Sequence, residues 1–113
     1  MSLTAESYGR ALILNLKGEL TEDTLAAVGQ SIEHHLQAQE VVDLVLNMEA
    51  VPFVDSKALE YLLELQERLV QEFKQVKLLK CDENVRKILE ITRMDGSFEL
   101  CSDVPEAVKG NQG

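Results

Sequence analysis

The sequence predicts an α/β domain: a mixed sheet of about five strands packed by four helices, with an antiparallel edge at the N-terminus. Three observations predict it. Short strand-like segments recur along the chain. From Glu22 onward, stretches of helical periodicity alternate with them. A glycine-centred turn, Tyr8-Gly9-Arg10, joins the first two segments, as in a hairpin. Strands alternating with helices are parallel and joined by right-handed crossovers, so only the hairpin supplies an antiparallel pair.

Leu3–Tyr8 reads as an edge strand, and Ala11–Gly18 as its partner. In that second run Leu12, Leu14 and Leu16 point one way, while Ile13, Asn15 and Lys17 point the other. Gly18-Glu19-Leu20-Thr21 stops the strand, and Thr21 is the N-cap residue of a helix beginning at Glu22. Leu25, Val28, Ile32 and Leu36 recur at spacings of three and four, giving that helix one apolar stripe. Its acids Glu22 and Asp23 fall in the first turn, where the helix dipole favours them. Val41–Met48 is β-branched and nearly all apolar, which suits a central strand covered on both faces.

Pro52 follows in a loop, and Asp55–Lys74 is the longest helical pattern. Its inner side is expected to hold Leu59, Leu62, Leu63, Leu69, Val70 and Phe73, with Glu60, Glu64, Glu67 and Gln71 elsewhere. Val76–Lys80 is a further strand. Glu83–Thr92 is a short helix with apolar Val85, Ile88, Leu89 and Ile91, and Ser97–Cys101 is a last short strand. Ser102 or Asp103 then caps a terminal helical turn in which Pro105 is tolerated early.

Composition narrows the function. The chain has 113 residues, 45% hydrophobic and 27% charged, the balance of a globular domain. A single domain over residues 1–108 is expected, with 109–113 as a frayed tail. Twenty acidic against eleven basic side chains give a net charge of −9, which repels phosphate backbones and anionic headgroups. No nucleic-acid partner and no membrane insertion are expected, since no apolar run approaches the roughly 18 residues a bilayer span needs. The N-terminus has no basic region followed by an apolar one, so a cytoplasmic protein is expected. Cys81 and Cys101 are too few for a disulfide framework and read as buried, reduced thiols.

Catalytic chemistry finds little support. Phosphate-cradling glycine loops, nucleophile elbows and zinc-protease spacings are all missing from the sequence. His34 and His35 are adjacent, so on a helix they diverge by about 100° and cannot share one metal. The expectation is a protein that is not an enzyme and binds no metal or cofactor. One segment differs: Leu46–Leu65, in which a buried strand runs through a short loop into a long helix at Asp55-Ser56. Both residues are good N-caps. A serine there would also be exposed at a helix N-terminus, at the end of the sheet where α/β folds place functional loops. A phosphoryl group at that point would add about −1.5 to −2 charges and meet free backbone N–H groups.

VPFVDSKAL (51–59) resembles the Asp-Ser-x-Gly-Leu signature of the STAS domain family, whose small bacterial members are anti-sigma factor antagonists. LILNLKGEL is similar to that family's second strand and Gly-Glu-Leu turn, and VVDLVLNMEAVPFVDS to the strand before its switch serine. ENVRKILEITRMDGSFEL resembles the family's Val-Arg…Leu…Thr-Gly segment with its following Phe, and SDVPEAV its ending. Together these cover most of residues 10–108 in the family's order.

The resemblance implies a partner switch. The unphosphorylated antagonist would bind an anti-sigma factor that is also a serine kinase, freeing the sigma factor. Phosphorylation would release it, and a PP2C-type phosphatase would reset it. By motif, Ser56 is the switch serine and Asp55 the preceding acid. The chain departs from the pattern at Lys57 and Ala58, where a small hydroxyl residue and Gly are usual, at Thr21 for Asp, and at Arg93 for Gly. Ala58 is expected to add a methyl where a kinase docks, and Lys57 a cation beside the target hydroxyl. The other reading is a STAS adaptor that no longer cycles, such as a scaffold in a signalling complex or an accessory subunit of a lipid transporter.

The expected partner-binding face holds Asp55, Ser56, Lys57, Ala58, Glu60 and Glu64, with the 49–54 loop, Glu19 and Thr21 beside it. Helical spacing puts Ser56, Glu60 and Glu64 on nearly one side. Four acids (Glu49, Asp55, Glu60 and Glu64) around that point favour a partner with basic groups. A monomer or weak dimer is expected.

Overall fold

The hairpin at the N-terminus forms because Gly9 takes a left-handed φ of 61° while Arg10 does not, the requirement of a two-residue turn with glycine at its first central position. It joins β1 (Ser2–Tyr8) to β2 (Ala11–Lys17) in an antiparallel ladder from Ser2↔Lys17 to Tyr8↔Ala11. The computed structural model describes residues 2–108, so the expected tail at 109–113 lies outside the described residues. The remaining elements are α1 (Glu22–Ala38), β3 (Asp43–Ala50), α2 (Ser56–Gln71), β4 (Gln75–Leu79), α3 (Glu83–Ile91), β5 (Glu99–Cys101) and α4 (Val104–Val108). The sheet runs β1-β2-β3-β4-β5 in chain order, parallel from β2 onward. No helix is long and apolar enough to cross a membrane among the described residues.

Alternation along the parallel strands sets the two faces. Leu12, Leu14 and Leu16, Leu44, Leu46 and Met48, and Val76 and Leu78 share the main core with α1, α2 and α3. Ala11, Ile13, Val45, Leu79 and Cys101 form a smaller cluster with Ala107 and Val108 of α4. Three crossover helices therefore cover one face and the short terminal helix covers part of the other. Where α4 does not reach, that second face turns polar. The Asn47 side-chain amide donates to Asn15 Oδ1 at 2.8 Å, and the Asn15 amide to Thr4 Oγ1 at 3.3 Å.

Several expected boundaries move, for local reasons. β3 starts at Asp43, two residues late, and runs on to Ala50, because the Val42 and Asp43 amides both turn back to the Arg10 carbonyl. The long helix stops at Gln71 rather than Lys74, so Phe73 is not a core residue; Val70, still inside the helix, lies about 100° round from buried Leu69 and is exposed. Phe73 takes a left-handed φ of 62° and is 94% exposed, while Lys74 N–H closes on the Leu69 carbonyl and turns the chain into β4. The buried stripe is Ala58, Leu62, Leu65 and Leu69 with Leu59 beside it, and Leu63 is half-buried. Ile91 is likewise 81% exposed, since it lies about 240° round α3 from buried Val85. β5 is shorter than expected: the Ser97 carbonyl accepts from the Gln66 side chain instead of joining the ladder. Asp103, not Ser102, caps α4 through the Glu106 N–H.

Charge also enters the interior. Lys77 Nζ lies 3.4 Å from Asp43 Oδ2 and 3.3 Å from Glu99 Oε2, and donates to the Ala107 carbonyl at 2.9 Å. Asp43 is 2% exposed and Lys77 4%, and Gln75 Nε2 donates to the other Asp43 oxygen at 2.9 Å. This group ties three parallel strands to α4.

Candidate functional site

In a sheet whose strands β2 to β5 run parallel, the carboxyl ends of the strands and the N-termini of the helices that follow meet along one edge. Ser56 lies there, as the first residue of α2, directly after the loop that leaves β3. Its side chain is exposed, and among the described residues no hydrogen bond engages its hydroxyl.

The loop is held from both sides. Gly18, with φ 117°, ends β2 and donates its N–H to the Ala50 carbonyl at 3.0 Å. Leu20 and Val54 then form a parallel bridge: Leu20 N–H reaches Phe53 O at 3.0 Å, and Asp55 N–H reaches Leu20 O at 3.1 Å. Both bridge residues are buried, anchoring the two loops in the core. The segments 18–21 and 51–55 therefore act as one unit.

Asp55 joins the two helices at their origins. Its Oδ1 accepts from Ala58 N–H at 2.9 Å, capping α2, and its Oδ2 accepts from Glu22 N–H at 2.8 Å, at the start of α1. The Ala58 amide, then the Glu22 amide, then the Lys57 amide and charge hold the Asp55 carboxyl below its ordinary 3.8, against an opposing desolvation. It is an acceptor for two helices, and neither oxygen is left uncommitted. At the start of α1, Thr21 N–H is met by Thr24 Oγ1 at 3.0 Å, and that hydroxyl turns to the carbonyls of Glu19 and Thr21.

Placement divides the candidate residues. Asp55, Ser56 and Lys57 stand together at the mouth of α2, with Thr21 across the bridge and Glu19 exposed beside it. Thr21 is half-buried and presents backbone rather than side chain. Glu60 lies one turn along α2, with its Oε2 3.9 Å from Lys57 Nζ in an exposed pair. Glu64 is exposed a further turn away, beside Arg68. Ala58 is 0% exposed: its methyl faces the core, so only its amide belongs to this edge, and the expected clash with a docking protein does not arise from it.

Two features at this edge escaped the sequence. Phe53 is partly exposed in the loop, because Val51 and Val54 on either side of it turn inward. Alternation about Pro52 was the signal available. Lys80, in a left-handed conformation at the end of β4, pairs with Glu49 at 3.3 Å, so one of the four acids near the site is already matched. The two thiols lie elsewhere in function. Burial pushes both Cys81 and Cys101 up to about 11, with Glu99 adding to the shift at Cys101, so both are poor nucleophiles.

Comparisons with known proteins bear on the fold. The STAS domain family model matches residues 2–107. The fold is similar to the anti-sigma factor antagonist SpoIIAA in its unphosphorylated form, with TM-score 0.78 and 21% identity over 95% of this chain and 93% of that one. An anti-sigma factor antagonist from Mycobacterium paratuberculosis gives TM-score 0.83 at 21% identity, over 99% and 94%. The Bacillus cell fate determinant SpoIIAA in its phosphorylated form gives 0.72 at 19%, over 95% and 96%. No match is found among curated protein sequences. The family model spans nearly the whole length, from the hairpin to the final helix, and the chain belongs to the STAS domain family.

Proposed function

We propose that this protein is an anti-sigma factor antagonist that works by partner switching at Ser56. The observation that carries the reading is the Asp55–Ser56 junction. The acid is fully engaged in capping two helices, while the serine beside it is exposed, held on a rigid first turn and free of hydrogen bonds among the described residues. In this reading the unphosphorylated edge binds an anti-sigma factor with serine kinase activity. That kinase moves the γ-phosphoryl of ATP to Ser56 Oγ; ADP leaves, and the hydroxyl proton passes to a base on the kinase. The product dianion sits where the α2 dipole tolerates it, so the domain stays folded while its contact surface becomes more negative. A PP2C-type phosphatase would reverse the step. The protein's own role is to bind, not to catalyse.

The test incubates the chain with its cognate kinase and ATP, then combines mass spectrometry with partner pull-down. Phosphate is expected on Ser56. Ser56→Ala should bind like the unmodified protein, and Ser56→Asp at least about tenfold more weakly, a difference of about 1.4 kcal/mol. Binding that persists with no phosphate on Ser56 would sink the switch and leave a non-cycling adaptor.

A further inference from the structure

α1 and α2 enclose an open groove of about 700 Å³ that starts beside the Ser56 edge and runs along the outer side of α1. Leu25, Ala26 and Gly29 form its floor, Tyr61 of α2 a wall, and Glu22 stands at the end nearest Asp55. Two residues of this groove are poor choices for folding alone. Gly29 sits inside α1, where glycine is less favourable than alanine, yet nothing in the fold requires it. Its φ is not left-handed, and a Cβ there would stand 3.5 Å from the Tyr61 hydroxyl, an ordinary contact. Tyr61 Oη is out of reach of solvent with no hydrogen-bond partner among the described residues, an arrangement phenylalanine would avoid. The two touch each other, the buried Tyr61 hydroxyl lying over Gly29, and both residues line the same groove.

Charge indicates what would lie there. α1 carries Glu22, Asp23 and Glu33 and no lysine or arginine, and only Glu33 is matched, by Arg68 of α2. The unmatched acids fall at the end next to Ser56. We propose that the groove is a docking surface for an amphipathic helix of the protein partner, whose apolar stripe packs over Ala26 and Gly29 against Tyr61 and whose basic residues meet Glu22 at its end. The small side chain of Ala26 keeps the floor shallow, and the phenol end of Tyr61 lies over Gly29, where it can form the wall against which that helix packs. This rests on the reading of the Ser56 edge as a partner-binding site, but not on phosphorylation of Ser56.

The groove can be tested without the partner. The ¹⁵N-labelled full chain is titrated with a helical peptide of leucine, alanine and lysine about 18 residues long, enough to span the groove's roughly 24 Å, and with its glutamate counterpart. Shift changes confined to residues 22–37 and the Tyr61 turn are expected, at least about tenfold tighter for the lysine peptide. Gly29→Gln should weaken binding by a similar factor, while Gly29→Ala should raise Tm by about 2–5 °C. Perturbations elsewhere, equal binding of both peptides, no binding, or self-association of the chain through the same residues would overturn the proposal. So would a lower Tm for Gly29→Ala, which would mean that the fold itself needs the glycine. Absence of phosphate on Ser56 would count against the switch alone; failure of the lysine peptide would count against the groove alone.

Discussion

Replacing Lys77 by methionine should cost this protein a large share of its stability. The ammonium group has three partners: Asp43 at 3.4 Å, Glu99 at 3.3 Å and the Ala107 carbonyl at 2.9 Å. They are not equal. Glu99 is half in solvent, so its pair contributes about 0–1 kcal/mol. Asp43 is enclosed, and removing its cation leaves a carboxylate out of water with the Gln75 amide as a remaining donor. Breaking one side of a buried pair costs about 3–5 kcal/mol, and the lost charged bond to Ala107 O is contained in that range. Against a total of about 5–15 kcal/mol this is severe. With a slope near about 1.5 kcal/mol per molar, the urea midpoint would fall by about 2–3 M.

A second variant separates charge from packing. Asp43→Asn combined with Lys77→Met removes both buried charges, and such replacements are often neutral. The double variant should therefore be about 2 kcal/mol or more stable than Lys77→Met alone. Urea unfolding followed by circular dichroism at pH 7 measures both. A single variant within about 1 kcal/mol of wild type, or a double variant no better than the single, would refute the claim that this pair is an enclosed, mutually dependent ionic unit. The group lies on the sheet face opposite α1, α2 and α3, so partner binding should survive wherever the chain still folds.

Ala58→Gly, which restores the residue usual in the resembling motif, should lower stability by about 1–2 kcal/mol through lost helix propensity and a missing buried methyl. It should leave Ser56 phosphorylation by the cognate kinase within about twofold, about 0.4 kcal/mol; a large gain in rate would mean that the methyl obstructs docking after all. For Asp55, whose carboxyl is lowered in the folded state, the contribution to stability is complete above pH 3.8 and is lost as pH falls through the lowered value. Carboxyl NMR titration should give a midpoint below 3.8, and Asp55→Asn should flatten the acid limb of the stability curve below about pH 4. A midpoint at or above 3.8 would show that the two amide bonds do not hold.

Order and type of elements were legible because three of the four helices announce their start. Thr21, Asp55 and Asp103 are short polar side chains directly before apolar periodicity, and the hairpin carries its own glycine. The position of Ser56 was legible for the same reason: a cap position identifies the end of the sheet at which it must lie. Helix ends were harder to read. Nothing in Gln71-Glu72-Phe73-Lys74 breaks a helix, and the stop is made by a left-handed phenylalanine that only the tertiary path to β4 requires. Asp43, Lys77 and Glu99 were invisible as a group, since each comes from a different strand and each alone reads as a solvated strand residue. Only the register that sets Lys77 against Glu99 and beside β3 brings them together.

Asp55 changes how the acidity of the chain bears on function. A net charge of −9 argues against anionic partners in general, but charge spread over a surface is screened beyond about 8–10 Å in physiological salt. What acts locally is the small number of groups at the carboxyl edge, and three of its acids are already committed while Glu22 and Asp23 are not. Glu49 faces Lys80, Glu60 faces Lys57, and Asp55 is bound to two backbone amides. The edge is therefore less negative in effect than its residue count suggests. A dianion on Ser56 would find the Ala58 and Glu22 amides already taken by Asp55, and Lys57 is drawn toward Glu60 in only an exposed pair. Lys57 is then the cation free to turn, and its presence next to the serine gives the added charge a partner within the chain. On this argument Lys57→Ala should leave binding of the unmodified protein nearly unchanged and make the Ser56→Asp variant bind more weakly still, because the intramolecular compensation is gone.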